Sequence, residues 1–392
     1  MASLIKKIRN DVYFYLLGFC LVSNAIMLIP NRMILYMIGL AFLFFFAIKY
    51  NNSSSHRGNL FLAFGASCLL SSIINLVFDY RLLLFGCILF FITPVTCSRK
   101  LVVFREKFIF HTLMLFPLLT IASLYCYYAG INLMAREKGD VSWDFSAFFP
   151  HSMWLAAAVG LSNVVLIWLI FSTSTKKFKI SYTFLLLLSI YMSILAASRS
   201  ALFASLFAMI FCLVLKLREI KKVIIVGILL SAFTSFAVPI YLKGAQRMQA
   251  KFENAQGKYG SRTDIFEAGI QHFKKNPLFG VGFAVSYSII GEKQIGRMES
   301  GSGWLSILFQ TGVLGFSIVV VILFKSLKAI KYTRYDNKLL LFASSLAFLC
   351  LHSMFEGYIL TIGYYPCILF WVLLGYLYSY PYYKQCLIKG TY

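Results

Sequence analysis

The chain has 392 residues, of which 60% are hydrophobic, 17% aromatic and only 13% charged, and its formal net charge is +23. A soluble domain of this length could not hide so much apolar surface from water, so lipid is the expected solvent. The excess of Lys and Arg falls in short clusters between apolar runs, not in one basic domain, which argues against a nucleic-acid partner and for charges that orient a membrane protein.

An unpaired backbone amide or carbonyl in hydrocarbon costs roughly several kcal/mol, so spanning segments must be helices or strands of a closed barrel. The apolar runs here extend for about 16 to 22 residues without period-two alternation, which predicts helices. In chain order they are Val12–Ile29, Met33–Ile48, Asn59–Phe78, Leu82–Thr96, Phe108–Ile131, His151–Ser172, Ile180–Ser198, Ala201–Leu215, Val223–Leu242, Gly303–Phe324, Leu339–Tyr358 and Ile359–Tyr380. The expectation is an all-α polytopic membrane protein of about twelve spans. Residues 1–242 carry nine spans, 243–302 form one long loop, and 303–392 carry the last three spans and a C-terminal tail. Lys6, Lys7 and Arg9 precede the first run as in a signal peptide, but no small-x-small cleavage site follows, so that run is read as a span.

Short loops rich in Lys and Arg stay in the cytoplasm. With the N-terminus inside, the basic clusters at Lys176, Lys177 and Lys179, and at Lys325, Lys328, Lys331, Arg334 and Lys338, fall on cytoplasmic connections. That arrangement places both termini in the cytoplasm and the long loop outside. Within the loop, Ser261 and Asp264 read as a capping box before Ile265, Phe266, Ile270 and Phe273, predicting a short amphipathic helix ended by Pro277. A Gly-rich turn, Asn276–Phe283, follows and is expected to let the loop open and close.

A few polar residues stand out against this apolar background. Arg199, in Ser198-Arg199-Ser200, sits where two apolar runs nearly touch. Facing lipid at mid-depth it would cost about 3 kcal/mol, so it either snorkels to the headgroups or faces an anion. Arg262 lies at the start of the amphipathic helix, where free amides and the helix dipole favour anions; pairing with Glu267 is the plainer alternative. His352 and Glu356, four residues apart, would share one face of the eleventh span as a base with its orienting partner, a proton relay or a structural pair. His151 opens the sixth span and Glu299 ends the long loop, both at the outer edge. The five His residues show no metal-ligand spacing, and no phosphate-binding or dinucleotide fingerprint is present, so neither a metal nor another cofactor is expected.

Several stretches together resemble the O-antigen polymerase and ligase superfamily of bacterial inner-membrane glycosyltransferases. They are Phe149–Met153, Ala197–Ala201, Gly260–Asp264, Asn276–Phe283 and Gly303–Gly315. The resemblance implies a metal-independent enzyme whose donor is an oligosaccharide on undecaprenyl diphosphate, with Arg199 and Arg262 on the diphosphate. It leaves Glu299, His352 and Glu356 as candidate bases and His151 as a possible glycan contact. Ligases carry a His-Asn pair at the start of the Leu-rich span, where this chain has Gly301 and Ser302. That departure favours a repeat-unit polymerase of O-antigen or capsule over a ligase acting on lipid A core. A polysaccharide flippase or transporter is a further alternative, although no repeated halves are visible. The partners implied are membrane lipid, a chain-length regulator and a flippase of the same pathway.

Overall fold

A computed structural model describes residues 2–50, 59–93, 98–133, 145–217, 270–271, 273–274, 276–283, 289–290, 293–294 and 301–389. Among these the helices are α1 (Ala2–Ser23), α2 (Arg32–Lys49), α3 (Asn59–Ile74), α4 (Tyr80–Ile92), α5 (Arg99–Tyr128), α6 (Ser152–Ser172), α7 (Lys176–Leu195), α8 (Arg199–Leu217), α9 (Gly303–Leu327), α10 (Asn337–His352) and α11 (Tyr365–Lys389). Six of the described helices are long and apolar enough to cross a membrane. The only described strands are a two-residue antiparallel pair, Ile289–Ile290 with Lys293–Gln294. The protein is an all-α polytopic membrane protein. The ninth expected span and the first part of the amphipathic helix beginning at Ser261 lie outside the described residues; of that helix Ile270, Gln271, Phe273 and Lys274 are described and are helical.

The chain divides into two compact units. The first comprises residues 1–32, 110–257 and 330–352. Its centre is α6, against which α7, α8 and α10 pack. Gly160 of α6 lets the Phe348 ring of α10 lie directly on the helix, and at the far end Trp168 Nε1 donates to the Asn337 carbonyl at 2.6 Å. A belt of small polar side chains runs through this core. Asn163 Nδ2 donates to Ser193 Oγ at 3.2 Å and to Ser205 Oγ at 3.3 Å, while Ser189 Oγ donates to Ser162 Oγ. In a lipid-embedded bundle such residues admit close helix contact and supply hydrogen bonds between helices.

The second unit comprises residues 33–109, 258–329 and 353–392. Trp371 of α11 stacks on Phe64 of α3 and meets Phe85 of α4 edge-on, and Phe85 stacks in turn on Phe283. Arg105 is fully buried here. It donates to the carbonyls of Phe91 and Thr93 and to the Tyr383 hydroxyl, so its charge meets the carbonyl end of α4 where the helix dipole is negative.

α9 is not continuous. Gly312 takes φ 67° and ψ −173°, breaking the helix nine residues after Gly303. Irregular backbone inside a membrane protein survives only where other groups satisfy it, and here the Gly-rich turn Asn276–Phe283 does so. Val281 N donates to the Phe309 carbonyl at 2.9 Å, Val313 N to the Pro277 carbonyl at 2.9 Å, and Leu314 N to the Leu278 carbonyl at 3.3 Å. From α3, Ser71 Oγ donates to the Gln310 carbonyl at 2.6 Å and accepts from Gly282 N at 3.0 Å; Ser72 Oγ accepts from Phe283 N at 3.2 Å. Asn75 completes the clamp, donating to the Gly280 carbonyl and accepting from Asn276 Nδ2. The expected hinge is therefore corrected: Gly280, Gly282 and Phe283 are buried, and the turn is tied on two sides.

The eleventh span is also corrected. Its helix stops at His352, and α11 begins only at Tyr365. In between, the Ser353 and Glu356 carbonyls both accept from Gly303 N, at 2.7 and 2.9 Å, and the Ile359 carbonyl accepts from Trp371 Nε1 at 2.8 Å. Carbonyls turned toward α9 and α11 cannot continue an i to i+4 ladder. His352 and Glu356 consequently do not share a helical face.

Candidate functional site

Three of the residues singled out in the sequence lie at one end of the first unit: His151 at the start of α6, Arg199 at the start of α8 and His352 at the end of α10. Their relative heights follow from the packing. Asn163 sets the register of α7 and α8 on α6 through its bonds to Ser193 and Ser205. At about 1.5 Å per residue, α6 continues about 16 Å past that level to Ser152, α8 only about 9 Å to Arg199, and α7 only about 3 Å to Leu195. The α7–α8 turn is thus recessed below the start of α6. On α10, Phe348 lies opposite Gly160, and His352 follows one turn later, which puts it level with Ala156 and at about the height of Arg199.

Why the turn is so short is visible in its backbone. Ala196 ends α7, Ala197 adopts φ 51°, and Ser198 caps α8, its Oγ accepting from Ala201 N at 3.4 Å and lying 3.2 Å from Ser200 Oγ. A left-handed alanine costs about 1–3 kcal/mol and persists only where its surroundings enforce it. The outcome is that Arg199 occupies the first position of α8. It is exposed, and no described acidic residue pairs with it. A cation at a helix N-terminus opposes the dipole, whereas an anion there gains from the dipole, the free amides and the guanidinium together. Arg81 offers a contrast. Its Nε and Nη2 bond Asp79 at 2.9 and 2.7 Å, and these bonds hold the Asp79 carboxyl below the usual carboxylate range. Arg81 is already neutralised; Arg199 has no such partner among the described residues.

His151 has a defined local task. Its Nδ1 accepts from Met153 N at 3.2 Å, capping α6. Replacing it with Ala is expected to cost about 1 kcal/mol of stability, and with Asn, a better cap, close to nothing. A thermal melt of the purified protein checks this. If His151→Asn melts like wild type yet loses activity, the imidazole also contacts substrate.

His352 is wholly buried, its ring stacked on Phe348 at 5.3 Å. Glu356 belongs to the second unit, where it is 7% exposed beside the start of α9. Arg262 and Glu299 lie outside the described residues. Sequence reading missed Ser71, Ser72 and Asn75, whose polar spacing inside the third apolar run was the available signal, and it missed the capping role of Ser198.

These features define a class: a polytopic helical membrane protein with a recessed arginine at a helix start that no described carboxylate neutralises. Residues 184–320, which contain Arg199, the Gly-rich turn and the break at Gly312, match the family model described as O-antigen ligase, and this supports the O-antigen polymerase and ligase superfamily. Members of that family are glycosyl-transfer enzymes. No curated protein matches the chain.

Proposed function

We propose that the protein polymerises lipid-linked oligosaccharide repeat units of an O-antigen or capsule. It transfers a glycan from undecaprenyl diphosphate to an acceptor sugar hydroxyl on the periplasmic side of the bacterial inner membrane, with both termini in the cytoplasm. The observation that carries this reading is Arg199, an exposed guanidinium at a helix N-terminus within the family match, with no acidic partner among the described residues.

In the reaction the bond between the anomeric carbon and the diphosphate oxygen breaks, and its electron pair leaves with the diphosphate. Arg199 and Arg262 neutralise that departing charge. The acceptor oxygen bonds the anomeric carbon from the opposite face, inverting it, and the hydroxyl proton passes to a base, an effect worth about 100- to 10,000-fold. His352, level with Arg199 in the first unit, is the first candidate; Glu356 and Glu299 are the others. His151 is retained as a possible glycan contact. No metal or other cofactor takes part in this scheme. A flippase supplying the lipid-linked units and a chain-length regulator are the expected partners.

A second reading is favoured by the description of the matched family itself: a ligase that moves finished polymer onto lipid A core. The Gly301-Ser302 pair, standing where ligases carry His-Asn, supports the polymerase instead. Purified protein in nanodiscs, given only the lipid-linked repeat unit, separates the two. A polymerase makes a ladder and releases one undecaprenyl diphosphate per linkage. A ligase makes no ladder in either case: it gives no product without lipid A core, and core bearing a single repeat unit once core is added.

A further inference from the structure

We infer that tyrosines at the end of α5 form a sugar-stacking subsite for the glycan whose diphosphate is held at Arg199; the inference rests on the proposed function. Tyr125 and Tyr128 are 71% and 74% exposed and, three residues apart, lie on one face of the last turn of α5. Tyr128 is braced by a second ring. The Tyr127 ring meets it at 5.5 Å and 72°, and Tyr127 in turn is met edge-on by Phe145 at 5.4 Å and by Tyr191 at 6.0 Å.

The cluster is assembled from three separate pieces of the chain. α5 ends where Ile131 N bonds the Cys126 carbonyl, and the segment around Phe145 folds back on it. Leu133 N donates to the Ala147 carbonyl at 2.7 Å, and Asn132 Oδ1 accepts from both the backbone and the hydroxyl of Ser146. The third piece is α7, in which Tyr191 stands one turn before Leu195, the residue that opens the recessed turn to Arg199. Rings and guanidinium therefore occupy the same end of the first unit, all on described backbone.

The chemistry matches a pyranose. An aromatic ring face is negative and its edge positive, so an exposed ring fixed by a T-shaped neighbour presents a negative face to the weakly positive C–H bonds on one face of a sugar. Tyrosines of a plain interfacial belt serve another purpose, anchoring a helix at headgroup level. They need neither a fixed ring orientation nor supporting rings from other segments.

The test uses the full-length protein in nanodiscs and the oligosaccharide repeat unit released from the cells' own polysaccharide by mild acid. Saturation-transfer NMR reports binding, and the lipid-linked unit reports kinetics. Tyr128→Leu keeps an apolar side chain at the membrane surface but removes the ring; Tyr128→Trp keeps a ring. The expected result is saturation transfer with wild type and Tyr128→Trp, its loss with Tyr128→Leu, and about a tenfold higher KM for Tyr128→Leu at unchanged kcat. Absent transfer with wild type, or equal transfer and KM in both variants, overturns the subsite in favour of a belt. If wild type binds the oligosaccharide through Tyr128 but forms no linkage, the proposed reaction fails and the subsite stands.

Discussion

Gly312→Ala is expected to remove most of the protein from the membrane fraction, and Gly280→Ala to do nearly the same. A Cβ at Gly312 would fall on the Leu278 carbonyl and 2.6 Å from Phe279 N; one at Gly280 would lie 2.6 Å from Gly312 N and from the Phe309 carbonyl. These neighbours are backbone and have no rotamer to yield. Both glycines have positive φ, 67° and 74°, so a side chain adds strain even without the clash. Relief requires the turn to withdraw, which unpairs the Phe309 carbonyl and the amides of Val313 and Leu314. At about 1–3 kcal/mol for each buried group left unsatisfied, the loss is on the order of 5 kcal/mol, a third or more of the roughly 5–15 kcal/mol that stabilises an ordinary domain. Gly86, where an added Cβ would meet nothing within 4 Å, is the control: Gly86→Ala should be as abundant as wild type. Immunoblots of the membrane fraction and melting of the detergent-solubilised variants decide it. Normal amounts of Gly312→Ala would mean that the turn does not depend on the broken helix.

The same region shows what sequence can and cannot reveal. Run length locates helices well where the whole run is embedded: the expected Met33–Ile48 and His151–Ser172 lie within one residue of α2 and α6 at each end. It fails where apolar residues are buried without being helical. Tyr358 and Ile359 are buried in the segment between α10 and α11, so the eleventh span is expected to run to Tyr358 and the twelfth to begin at Ile359, whereas the helix ends at His352 and the next begins at Tyr365. It fails also where a helix projects beyond its apolar part, as α7 does over the exposed Lys176, Lys177 and Lys179. The break at Gly312 carries no local signal, because the left-handed glycine is needed only once a turn some thirty residues earlier is in place. Of the candidate site, Arg199 stands out in the sequence because a charge between two nearly abutting apolar runs is costly. Its recess was not, since that depends on how Asn163 registers α7 and α8 on α6.

Arg199→Ala is expected to lower turnover at least 100-fold at unchanged abundance. Removing one preorganised donor to a developing negative charge typically costs about 100- to 1,000-fold in rate, and Arg199 supplies a full charge. Because the side chain is exposed and makes no described ion pair, its loss leaves the fold alone. The change even removes an unfavourable cation from a helix N-terminus, so the melting temperature should hold or rise slightly. Arg199→Lys keeps the charge but not the two-pronged geometry, and an intermediate rate is expected. Equal turnover for Ala and wild type would leave Arg199 a surface cation.

Polymerase activity carried by Arg199 is tested most simply by a gel profile of surface polysaccharide from cells lacking the protein, complemented with wild type or with Arg199→Ala at matched membrane levels. The expected profile is core bearing a single repeat unit in the deletion, a full ladder with wild type, and no ladder with Arg199→Ala. Bare lipid A core, with long polymer accumulating on the lipid carrier, would contradict it and make the protein a ligase.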